Sequence, residues 1–120
     1  MLIKDRRLQE ALLRALADEQ SRRILAATSN RPRSAADLIH EEGLPSSSTY
    51  RRLHELEEEG LLAVARTVLT SEGKKYLMYK ATFREVSLKF QSGEVVVSGV
   101  PNLDAVQKVF RLFHSFQEEL

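Results

Sequence analysis

Ser46-Ser47-Ser48-Thr49-Tyr50-Arg51-Arg52 gathers hydroxyl and guanidinium groups suited to binding a polyanion. Read as a helix at about 100° per residue, the stretch Ser46 to Glu59 puts Thr49, Leu53 and Leu56 on an apolar side. Ser47, Ser48, Arg51, Glu55 and Glu58 point the opposite way. The outward face is thus small and basic in its first half and acidic in its second. Such a helix suits a major groove approached by its N-terminus. Small hydroxyl residues permit close approach, backbone N–H groups and the positive dipole end meet phosphate, and an arginine reaches base edges. An ordinary amphipathic surface helix fits the same pattern, so the flanking segments must decide.

If nucleic acid is the partner, position assigns roles. Ser47, Ser48 and Arg51 are the base-reading candidates, with Arg51 matched to guanine O6 and N7. Ser46, Tyr50 and Arg52 flank that face and would hold phosphates, setting register rather than sequence. Ser34 heads another helix and would donate to phosphate. Lys74 and Lys75 would follow the adjacent backbone, and Arg31 and Arg33 would reach it from a loop. Each has a plainer reading. The serines would serve as a helix cap, although a cap needs one such residue and there are three. Arg51 would pair with Glu55 one turn on. Tyr50 would pack on a hairpin, and the two lysines would keep a hairpin tip soluble. His40 and His54 stand singly on helix surfaces.

The elements that position these residues can be read in order. Lys4 to Ala17 is a helix capped by Asp5, with Leu8, Leu12, Ala15 and Leu16 as its stripe. Asp18 breaks it and caps a second helix, Glu19 to Thr28, with Ser21, Ile24, Leu25 and Thr28 inward. Ser29 to Arg33 is a loop, since Pro32 disfavours helix before it. Ser34 to Asp37 resembles a capping box. Its helix runs to about Glu42, burying Ala35, Leu38 and Ile39, and Gly43 is a left-handed stop. Two short helices joined by a Gly-containing turn make a helix-turn-helix.

After Gly60 the period changes from 3.6 to 2. Leu61 to Leu69, turn residues 70–74 and Lys75 to Phe83 form a β-hairpin. A helix-turn-helix followed by a hairpin predicts an α+β winged helix over residues 1–83. Residues 84–120 would add a second hairpin (Glu85 to Gln91, Ser92-Gly93, Glu94 to Ser98) and a last helix capped by Asn102. Val95 and Val97 alternate while Val96 is apolar on the opposite face. That strand is therefore either covered or paired with another chain. The last helix carries Leu103, Val106, Phe110, Phe113 and Phe116, an apolar stripe expected to serve dimerisation. A helix folded back on its own hairpin is the competing reading.

The totals constrain the class. A chain of 120 residues with 42% apolar content supplies one domain's core. A formal net charge of +1 means that any contact with nucleic acid comes from charge placement. Absence of cysteine removes disulfides and thiolate metal sites, and fits a reducing, cytoplasmic setting. No apolar run reaches membrane-span length. No phosphate-binding Gly loop, nucleophile elbow, metal-ligand spacing or paired-acid constellation is present, so neither an enzyme nor a cofactor site is expected.

Ala15-Leu16-Ala17-Asp18 followed by Arg23-Ile24-Leu25 resembles the opening of ArsR-type winged helices. Gly43-Leu44-Pro45-Ser46-Ser47-Ser48-Thr49-Tyr50-Arg51-Arg52-Leu53 resembles their recognition-helix line, particularly in archaeal members, and Leu56 to Leu62 matches its exit. The resemblance spans about Leu8 to Thr82. It implies a homodimeric, double-stranded-DNA-binding transcriptional regulator. Many relatives hold metal through a cysteine pair or through carboxylates and histidines of the C-terminal helix. Here that helix offers Asp104, His114 and Glu118 but lacks the expected second histidine, so no metal site is expected. Two alternatives stand beside the regulator. One is a winged-helix protein–protein module of a transcription assembly, favoured by the near-neutral charge and Glu57-Glu58-Glu59. The other is a regulator answering a small-molecule effector, whose identity no residue cluster names.

Overall fold

The computed structural model describes residues 1–102. Its elements are α1 (Arg6–Ala17), α2 (Glu19–Ala27), β1 (Arg33–Ser34), α3 (Ala35–Glu41), α4 (Ser46–Glu58), β2 (Leu62–Leu69), β3 (Lys75–Ala81), β4 (Phe83–Gln91) and β5 (Glu94–Pro101). Asp5 starts α1 by accepting from the Leu8 amide at 3.1 Å. The buried stripe is Leu8, Ala11, Leu12 and Ala15, so Ala11 takes the place expected of Leu16, which is half-buried. Asp18 ends α1 and caps α2, accepting from the Ser21 amide at 3.1 Å and its hydroxyl at 2.6 Å.

Residues 29–33 are not wholly loop. Arg33 and Ser34 pair with Tyr79 and Met78, so a short strand completes a three-stranded antiparallel sheet of order β1-β3-β2. Nothing in the local pattern marks this strand, because its partner lies some 45 residues away in sequence. Ser34 and Asp37 then form a reciprocal capping box at the start of α3. Gly43 sits at φ +68°, a conformation strained for other residues, and lets the buried Leu44 turn back to the Leu38 carbonyl. The turn re-aims the chain into α4, whose Thr49, Leu53 and Leu56 are buried as the periodicity predicts.

β2 and β3 form the wing, with its tip at residues 70–74. The strand predicted to run from Lys75 through Phe83 is interrupted. Thr82 is fully buried and donates its hydroxyl to the Gly60 carbonyl at 2.7 Å, which stops β3 at Ala81 and starts β4 at Phe83. β4 and β5 form a sheet of their own, so the second hairpin does not extend the wing. It is longer at its root than expected, since β5 continues through Gly99 and Val100 to Pro101. Asn102 donates its side-chain amide to the Ser29 and Ala81 carbonyls at 3.2 and 2.8 Å. The helix it was expected to cap lies outside the described residues.

One core joins these parts. Ile3, Leu8, Leu12, Ile24, Leu38, Leu53, Leu61, Leu62 and Val97 have almost no exposure, and Phe83 belongs to the same cluster. Each such side chain contributes about 1.5–3 kcal/mol by leaving water. α4 is therefore held from beneath by Leu53 and Leu56, and the wing from its root by Leu62 and Ala81.

Candidate nucleic-acid interface

Pro45 occupies the N-cap of α4, and no side chain caps that end. Ser46, Ser47 and Ser48 are therefore not caps, and the first-turn amides of a 13-residue helix stay available to an anion. Ser46, Ser47, Tyr50 and Arg51 are exposed around this end. Arg51 reaches Glu55 at 3.3 Å with its side chain 60% exposed. An exposed i,i+4 pair of this kind is worth only about 0.3–0.5 kcal/mol, whereas a bidentate guanine contact discriminates by about 1–3 kcal/mol. The internal pair does not compete with a base.

Two carboxylates at the C-terminal end of α4 have partners within the fold. Glu59 takes the Arg14 guanidinium at 2.5 Å, and Glu58 lies 3.0 Å from His54. On the other flank, Ser34, Tyr50, Lys75 and Tyr76 line one groove of about 540 Å³. The structure thus brings α3, α4 and the wing together around a single concave face. Lys74 and Lys75 are exposed at and beside the wing tip, on the β3 side. Tyr79, behind Tyr50, has its phenol pushed up by burial, with Glu57 and Tyr50 adding to the shift.

Four expected contacts are relocated. Arg52 does not flank the open face. Its Nε and Nη2 donate to the two carboxylate oxygens of Asp18 at 2.6 and 3.2 Å, and its side chain is 16% exposed. That geometry holds the Asp18 carboxyl well below the usual carboxylate range, first through the Arg52 hydrogen bonds and then through Ser21. Ser48 is half-buried and donates to Gln20 Oε1 at 3.1 Å. Ser34 is only 4% exposed, with its hydroxyl accepting from the Asp37 amide. Arg33 is buried and pairs with Glu41 at 2.7 Å rather than reaching outward. The cause for Ser48 and Arg52 is common. They are one turn apart on α4, and the N-terminus of α2 crosses that side of the helix.

Sequence reasoning missed Asp18 and Gln20 as residues that aim α4. Asp18 was legible as a cap, but a carboxylate can cap a helix and bind an arginine at once, and spacing does not announce the second task. Leu103, Val106, Phe110, Phe113 and Phe116 lie outside the described residues, as do Asp104, His114 and Glu118. Among the described residues no group of three or more His, Asp or Glu side chains is placed to hold a metal ion. None of the described helices is long and apolar enough to cross a membrane. An apolar groove between α1, α2 and the root of β4 measures about 240 Å³, below the usual size of an organic-ligand pocket.

Residues 16–65 match the family model of a helix-turn-helix domain. The matched segment runs from the end of α1 through the start of β2 and contains the whole α3-turn-α4 unit. No curated protein matches the chain. Helices α3 and α4 followed by the β2–β3 hairpin have the arrangement of a winged helix-turn-helix, an architecture that places its second helix in the major groove.

Proposed function

We propose that this chain is a sequence-specific, double-stranded-DNA-binding transcriptional regulator of ArsR-like, archaeal type. It acts as a cytoplasmic homodimer and works by occupying a site rather than by catalysis. The observation that carries this reading is the uncapped N-terminus of α4, ringed by the exposed Ser46, Ser47, Tyr50 and Arg51, with Lys75 lining the same groove as Tyr50. Ser47 and Arg51 read bases, while Ser46, Tyr50 and the wing lysines hold the backbone. Two copies would place two such helices about one DNA turn apart on a pseudo-palindromic site. Selection from a random duplex pool tests the reading. A recovered palindromic motif bound with steep salt dependence is the expected result. Failure to enrich any duplex would favour the protein–protein module.

A further inference from the structure

β5 has a neighbour on each side. One is β4. The other is the N-terminal stretch, where the Ile3 amide donates to the Val97 carbonyl and the Gly99 amide donates to the Met1 carbonyl, both at 2.9 Å. These two bonds orient the hairpin's backbone groups. Val97 and Gly99 face the N-terminus, so Val96, Ser98 and Val100 face β4. Their register partners Lys89, Ser87 and Glu85 bond inward. Val86, Leu88 and Phe90 consequently turn their N–H and C=O groups to the outer edge of β4. Among the described residues nothing pairs with that edge. Phe90 on it is 76% exposed and Leu88 is exposed too. An open apolar edge of this length accepts another strand.

We propose that the outer edge of β4 pairs antiparallel with the same edge of a second copy, across a two-fold axis at Ser87. This rests on the homodimer part of the functional reading and names the surface that makes it. The register follows from parity and charge. Outward-facing backbone groups belong to even-numbered residues, so hydrogen-bonded pairs must join even with even. An axis at Ser87 satisfies this, setting Val86 opposite Leu88 of the partner subunit. It also sets Glu85 opposite Lys89 of the partner subunit in a non-hydrogen-bonded pair, where side chains lie closest. Glu85 and Lys89 are both exposed, and neither has an ion-pair partner among the described residues. Moving the axis to Val86 or Leu88 keeps the parity but sets Glu85 against a serine or a glutamine. Because the axis is perpendicular to the sheet, Val86, Leu88 and Phe90 of both copies fall on one face. That doubles the apolar surface which continues outward from the buried Val97.

The chain contains no cysteine, so single-cysteine variants of the full chain report cleanly. Ser87→Cys would place two Cα atoms about 4.5 Å apart, within disulfide reach. Mild oxidation should convert it to a covalent dimer. Glu85→Cys and Lys89→Cys should each fail to cross-link alone, their like positions lying about 13 Å apart, but should cross-link when mixed. Glu85→Lys should weaken the dimer about tenfold in sedimentation, and adding Lys89→Glu should restore it. A sedimenting dimer with no Ser87 cross-link overturns the strand pairing and leaves the homodimer reading standing. Equal cross-linking at all three positions overturns the register. A monomer at every concentration overturns both, while DNA selection still reports independently on operator binding.

Discussion

Replacing Arg52 with alanine separates two physical roles for that side chain. Its guanidinium spans both oxygens of Asp18, with its side chain 16% exposed and that of Asp18 37% exposed. Hydrogen bonds to charged groups contribute about 1.5–3 kcal/mol, and the exposure of Asp18 argues for the lower end. Arg52→Ala should therefore cost about 1.5–2 kcal/mol. Asp18→Ala should cost more, about 3 kcal/mol. It removes the α2 cap, worth about 1 kcal/mol, and also leaves a mostly buried guanidinium without its partner. Asp18→Asn should fall between, since asparagine still caps. The two alanine variants combined should fall short of additivity by about 1.5–2 kcal/mol, the pair they share. Urea unfolding followed by circular dichroism, at fixed protomer concentration, measures all four. The salt dependence of duplex binding completes the test. A latch leaves the slope of log K against log salt unchanged, whereas a lost phosphate contact lowers it by about 0.9. Wild-type stability in Arg52→Ala together with a reduced slope would refute the latch and return the residue to the phosphate backbone.

The same pair predicts an acid dependence. The Asp18 carboxyl is depressed below its ordinary value of 3.8, so its contribution is present in full above that pH and fades as pH falls further. The stability gap between wild type and Arg52→Ala should be constant from about pH 5 to 8 and narrow towards pH 3, as urea titrations at each pH would show. Arg51→Ala should weaken the selected site by about 1–3 kcal/mol and relax sequence choice, while Lys74→Ala should weaken all duplexes alike. Competition binding on matched and scrambled duplexes checks both. Gly99→Ala would place a Cβ 2.8 Å from Phe83 Cδ1 and 2.9 Å from Cε1, inside a packed core. It should destabilise the fold by about 1–3 kcal/mol in the same unfolding assay. Phe110→Asp with Phe113→Asp should yield monomers if the C-terminal stripe is part of the subunit contact. An unchanged sedimentation profile would remove it from the interface.

Much of the fold was legible because its signals are local. Caps at Asp5, Asp18 and Ser34, the stop at Gly43, and the change of period after Gly60 each act within a few residues. The buried side of α4 was equally legible, since Thr49, Leu53 and Leu56 follow from helical angle alone. So was the exposed side at Ser47 and Arg51, which lies directly opposite.

What the chain's own pattern determined, then, is which elements form and which side of each is apolar. Tertiary structure decided what meets the remaining sides. A helical wheel gives angles about one axis and says nothing of the helix crossing it, so it leaves Ser48 and Arg52 free where the start of α2 in fact binds both. Likewise β1, the break at Thr82, and the N-terminal residues against β5 all depend on partners distant in sequence. Pairing across such distances is decided by which backbone groups remain unbonded once the core has closed.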